Sequence, residues 1–147
     1  IAMLLNYPKM PTISALMRPF PYFAQPDTSV AQIIKMMDEH QIRHLPIKQD
    51  DRIVGIVSER DLRWLGNPKL DLPITHDIPV CHVMVYSPYV AEINTPLPVV
   101  IDEMTHQKIG AAIVVRSGKL AGIVTTIDIC QALSEVLKTE FSCIAEV

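Results

Sequence analysis

The chain has 147 residues, 49% hydrophobic and 20% charged, which suits one ordinary domain or two small ones and excludes a disordered polymer. A net charge of −3 excludes a broadly basic surface, and with it non-specific nucleic-acid binding as the main role. No apolar run approaches the roughly 20 residues that a membrane-spanning helix needs, and no signal peptide is visible. Three cysteines, Cys81, Cys130 and Cys143, are odd in number and form no CxxC pair, so a reducing cytoplasmic setting is expected.

A strand is predicted over Tyr22–Gln25, after Pro21. Asp27 and Thr28 then read as helix caps, and Val30, Ile33, Ile34 and Met37 fall at i, i+3, i+4 and i+7 as one apolar helical stripe. Two strands follow, His44–Lys48 and Arg52–Val57, joined by a Gln49-Asp50-Asp51 turn, and then a second helix over Glu59–Leu65. The stretch 66–78 is rich in Pro, Asp and Asn and reads as a linker. The same order then recurs. A strand spans Tyr89–Ile93, and caps sit at Asn94 and Thr95 with Pro96 at the first helical position. Leu97, Val100, Ile101 and Met104 make the next stripe. Strands over Ala111–Val115 and Lys119–Val124 flank an Arg116-Ser117-Gly118 turn, and a helix runs from Thr126 to Leu137.

The recurrence is literal. Shifting the sequence by 67 residues lays Thr12–Leu62 over Pro79–Ile129 without a gap. Identical pairs include Met17/Met84, Pro21/Pro88, Tyr22/Tyr89, Thr28/Thr95, Met37/Met104, Ile42/Ile109, Gly55/Gly122 and Asp61/Asp128. The expected division is therefore 11–65 and 79–138 around the 66–78 joint. A unit of about fifty residues buries too small a core to be comfortable alone, so two would gain by packing together.

The strongest local signature closes the third strand of each unit. Gly55-Ile56-Val57-Ser58-Glu59-Arg60-Asp61 recurs as Gly122-Ile123-Val124-Thr125-Thr126-Ile127-Asp128. With the His44-Leu45-Pro46-Ile47 strand upstream, this pattern resembles the cystathionine β-synthase (CBS) domain, and the duplication resembles a tandem CBS pair, or Bateman module. The resemblance implies an α/β (α+β) fold. Two pseudo-symmetric units, each a small three-stranded sheet with two helices, would pack through their sheets.

Ser58 and Thr125 sit where a strand turns into a helix, and Asp61 and Asp128 follow one turn later on the same side. Such a carboxylate can accept two hydrogen bonds from a ribose diol. The same spacing is also a plain capping arrangement, and both readings stand at this point. The resemblance implies an adenosine ligand of the AMP, ADP or ATP class, held in two clefts and serving as a regulatory signal. It places Thr95, Ile109 and Gly110 with Ile56, Ser58, Arg60 and Asp61 in one cleft. Thr28, Ile42, Arg43 and His44 go with Ile123, Thr125 and Asp128 in the other. The first has Arg60 beside the expected phosphate position. The second has Ile127 there instead, so that Arg43 or His44 would have to supply a cation. The Asp61 cleft is therefore expected to bind a phosphorylated adenosine more tightly.

Other chemistries find little support. His40 and His44 fall on different elements, and His76, His82 and His106 lack matching Cys or carboxylate spacing, so no metal is expected. No nucleophile–base pair or facing carboxylates suggest an enzyme, and no catalytic cofactor is implied. The resemblance implies a homodimer and a separate regulated protein as partners, with no membrane insertion. The alternative functions are a ligand-free structural or protein-interaction module, or a binder of S-adenosylmethionine or NAD.

Overall fold

The computed structural model of the chain describes residues 9–63, 65 and 78–142. Apart from Ile78, the expected linker lies outside the described residues, as do His76 and Cys143. Two compact units are present. One is built from residues 9–20, 89–117 and 121–142, the other from 21–63, 65, 78–88 and 118–120. Each unit thus takes most of one sequence repeat and the leading segment of the other.

In the unit centred on residues 21–88, α1 (Val30–His40) buries Val30, Ile33 and Met37. Ile34, expected in the same stripe, is exposed. Residues β2 (His44–Gln49) and β3 (Arg52–Ser58) pair antiparallel across a two-residue turn in which Asp50 has φ +53°. Asp tolerates this left-handed conformation better than most side chains. The pairing shifts register between Ile47 and Lys48. Helix α2 (Glu59–Arg63) follows directly. The core gathers Ile33, Leu45, Ile47, Val57 and Val80, all with no accessible surface.

The unit containing the chain's second repeat is built alike. Helix α3 (Leu97–Gln107) buries Leu97, Val100 and Met104. Strands β6 (Ala111–Arg116) and β7 (Lys119–Thr125) are joined at Ser117-Gly118, both at positive φ, which is the backbone twist that a tight hairpin favours. Helix α4 (Thr126–Glu140) ends the described chain. Ile13, Val100, Ala112, Val114 and Val124 form its fully buried centre. Both strand–strand–helix successions fall within a few residues of expectation, because each pairs an apolar run with a clear turn.

Three details differ from the sequence expectation. First, the strand expected at Tyr22–Gln25 shrinks to a single parallel bridge, Ala24 to Ile47, whereas its counterpart β5 (Val90–Glu92) pairs parallel with β6 over three residues. Tyr22 and Phe23 are exposed and pack elsewhere: Tyr22 stacks on His40 at 3.7 Å, and Lys48 sits over the Phe23 ring at 4.0 Å. Second, the caps move toward the helices. Ser29, not Asp27 or Thr28, caps α1 in a reciprocal box with Gln32, and Pro96 itself is the N-cap of α3. The Thr28 hydroxyl instead accepts from the Gln25 amide at 3.1 Å and closes a turn.

Third, the sheets are not both three-stranded, and each recruits a short strand from a leading segment. Residues β1 (Arg18–Pro19) pair antiparallel with β7, giving a four-stranded sheet of order β1-β7-β6-β5. Residues β4 (Val85–Tyr86) pair antiparallel with β3, giving the order β2-β3-β4. The registers are equivalent: Pro19 faces Gly122 as Tyr86 faces Gly55, and Arg18 faces Ile123 as Val85 faces Ile56.

Candidate functional site

The strand-to-helix turns sit at the edges of the two cores, where the alternation of β3 and β7 delivers the last residue half-exposed. Ser58 ends β3 opposite His44. The Glu59 amide donates to the Arg43 carbonyl at 2.8 Å, so Arg43 and His44 lie beside the turn of their own repeat. The second repeat reproduces this: the Thr126 amide donates to the Gly110 carbonyl at 3.0 Å. The turns are thus fastened to the segment between the first helix and second strand of the same unit.

The Ser/Thr-x-x-Asp spacing does cap. The Ser58 amide and hydroxyl each donate to Asp61 Oδ2 at 2.8 Å, and the Asp61 amide donates back to Ser58 Oγ at 3.2 Å. In the other unit, the Thr125 amide and hydroxyl donate to Asp128 Oδ2 at 2.9 and 3.0 Å. Capping therefore occupies one carboxylate oxygen in each unit and leaves the fate of the other open.

That second oxygen separates the repeats. Asp61 is half-buried, and its Oδ1 has no hydrogen-bond partner among the described residues. Asp128 is 7% exposed, and its Oδ1 receives Arg18 Nε and Nη2, each at 2.8 Å. A carboxylate offers about four lone-pair sites. Among the described residues Asp61 thus keeps about two unfilled, while Asp128 has filled all of them.

The remaining expected residues are placed as follows. Arg60 is exposed and forms no ion pair among the described residues, and Ile127 at its equivalent position is also exposed. Arg43 and Arg63 both approach Glu59, at 3.7 and 3.0 Å, and the Arg63 bond holds the Glu59 carboxyl below its usual value. Burial lowers the pKa of His44. Asp61 opposes that shift and Arg43 adds to it. Ile56 is half-buried and Ile123 buried, both facing the short leading-segment strands. Thr95 gives its carbonyl to the Ile13 amide at 2.8 Å, and Ile109 packs against its unit's core. An open groove of about 810 Å³ between α1 and α2 takes in Ile42 and Arg43, while Thr28 lines another of about 350 Å³. Neither includes Ser58 or Asp61. Among the described residues, no three His, Cys, Asp or Glu side chains cluster as a metal site, and no helix is long and apolar enough to cross a membrane.

Arg18 is the residue that sequence reasoning missed. It lies 110 positions from Asp128, and the available signal was its counterpart in the repeat alignment, the uncharged Val85.

The CBS domain family model matches residues 13–65 and 80–135, and the chain belongs to that family as a tandem pair. Hypoxic response protein 1 of Mycobacterium tuberculosis is 34% identical over 55 residues, 37% of this chain and 38% of that protein. Inosine-5′-monophosphate dehydrogenase of Staphylococcus aureus is 30% identical over 113 residues, 74% of this chain but 22% of the enzyme. The matched stretches span well under half the length of these relatives. Among solved structures, the CBSX2 protein in complex with AMP superposes with a TM-score of 0.72 at 28% identity, over 85% of this chain and 97% of that one. The CBS domain pair of protein MJ0100, in complex with 5′-methylthioadenosine and S-adenosyl-L-methionine, gives a TM-score of 0.77 at 22% identity, over 86% and 98%. That likeness establishes the fold.

Proposed function

We propose that this CBS pair reversibly binds an adenosine nucleotide of the AMP class and serves as a regulatory sensor in the cytoplasm, with no catalytic step of its own. The observation that carries the proposal is the half-satisfied carboxylate of Asp61. One oxygen caps the turn from Ser58, and the other, without a partner among the described residues, can accept a ribose diol. Arg60, one residue earlier and without an ion pair among the described residues, supplies a cation for the phosphate. With a net charge of −3, phosphate affinity has to come from such placed groups and not from the overall field. The AMP complex of CBSX2, at 28% identity, supports the choice of ligand class.

Signalling requires that the ligand bind two arrangements of the protein with different affinity. In this proposal the arrangements differ within a homodimer, and a separate protein reads the change.

A thermal-shift panel of AMP, ADP, ATP, NAD and S-adenosylmethionine tests the reading. A ligand at 100 times its Kd stabilises the folded state by about 2.7 kcal/mol, a shift that is easily measured. Asp61→Ala removes the shift if the carboxylate holds the diol. No shift with any of the five compounds would replace this reading with a ligand-free interaction module.

A further inference from the structure

We infer that Arg18 is a built-in occupant of the second repeat's carboxylate, so that the chain takes one adenosine ligand, at the Asp61 turn, and not two. The inference rests on the nucleotide-binding reading above and specifies its stoichiometry.

The two turns share a backbone, a cap and a register, so their difference lies in side chains. At Asp61 the Ser58 amide and hydroxyl fill Oδ2, and Oδ1 stays open among the described residues. At Asp128 the equivalent Thr125 groups fill Oδ2, and Arg18 presents both Nε and Nη2 to Oδ1 at 2.8 Å. A ribose diol arriving at Asp128 would have to displace charge-assisted bonds and offer only neutral hydroxyl donors in their place. It would also leave the charge of a carboxylate that is 7% exposed without a counter-ion. Both consequences oppose binding.

The position of Arg18 is not incidental. It faces Ile123 on β7, and Val85, 67 residues later, faces Ile56 on β3. The two residues therefore hold equivalent register positions against the two strands that carry the motif. One carries a fork of donors and the other carries none. Arg18 is itself half exposed, so its guanidinium reaches the buried carboxylate from the solvent side, the side a ligand would use. Charge agrees with this division. The Asp61 turn has Arg60 available, whereas the equivalent position in the second repeat is Ile127.

Calorimetric titration with AMP decides the matter. The wild-type chain should take one equivalent, and Asp61→Asn should abolish it. Arg18→Val copies the first repeat's arrangement onto the second and should raise the count to two equivalents. Arg18→Gln keeps a neutral donor beside the carboxylate, which guards against a folding failure of the Val variant, and should admit the second equivalent at lower affinity. Two equivalents in the wild type would overturn the role of Arg18, as would one equivalent in both folded Arg18 variants. Absence of AMP binding in every protein would instead overturn the nucleotide reading itself.

Discussion

Gly55 and Gly122 show how the short leading-segment strands constrain the motif they lie against. A Cβ added at Gly55 would stand 2.6 Å from Met84 Sδ, 3.1 Å from its Cγ and 3.0 Å from the Val85 carbonyl oxygen. A methionine can swing away from such a contact, but Met84 is 7% exposed and packed in the core, so its room is small. The carbonyl cannot move without loosening β4 from β3. Overpacking of this kind costs about 1–3 kcal/mol, and the reduced freedom of an alanine in the unfolded chain returns roughly 0.4–1 kcal/mol. The expected net loss in Gly55→Ala is about 1–2 kcal/mol. For a chain of this size that lowers Tm by about 2–8 °C, read by circular dichroism. Gly122→Ala should lose a similar amount, because its added Cβ meets Met17 Sδ at 2.6 Å and the Arg18 carbonyl oxygen at 3.0 Å. Combining Gly55→Ala with Met84→Ala should cost less than the sum of the two, since the clash and its partner disappear together. A Gly55→Ala protein that melts with the wild type would refute the close approach of β4 on which this reasoning depends.

Two further outcomes follow from the local geometry. Ser29→Ala should lose about 1 kcal/mol in urea unfolding, as expected for an N-cap, while Asp27→Ala should stay within about 0.5 kcal/mol; equal losses would return the cap to Asp27. His44 titrates below its ordinary value of 6.5 in the folded chain, chiefly through burial. The unfolded chain therefore takes up the proton first, so the stability tied to neutral His44 is complete above about pH 6.5 and declines as the pH falls from there through the lower folded value. His44→Gln should flatten this acidic limb below about pH 6.5, and an unchanged pH profile would rule out His44 as its source.

Much of the architecture was legible because it is local. Strands β2, β3, β6 and β7 are apolar runs bounded by turn residues, and the helices carry their stripes at Val30, Ile33 and Met37 and at Leu97, Val100 and Met104. The caps were misplaced by one or two residues, since Asp27, Thr28 and Ser29 are all capping types in sequence and only the backbone selects among them. Strands β1 and β4 were not legible. Two residues carry no periodicity, and their partners lie far along the chain: Arg18 faces Ile123, and Val85 faces Ile56. The motif at Ser58 and Asp61 was visible, and its capping role was weighed correctly as one of two readings. The ion pair that distinguishes Asp128 from Asp61 was hidden for the same reason as β1: it joins residues 110 positions apart.

The crossed leading segments also set an order for assembly. The sheet containing β2 and β3 can acquire β4 once residue 86 has emerged from the ribosome, because Val85 lies much nearer in sequence to Ile56 than Arg18 does to Ile123. The segment around Arg18 is made much earlier, yet it has no sheet to join until β7 is complete and no counter-ion for its guanidinium until Asp128 is made. Closing so long a loop is entropically costly and slow relative to local pairing. Of these strands β1 is therefore the last to dock, and a nascent chain that has not yet reached β7 leaves the Arg18 segment without its partner strand. Quality control during synthesis would meet this protein at that unpaired segment.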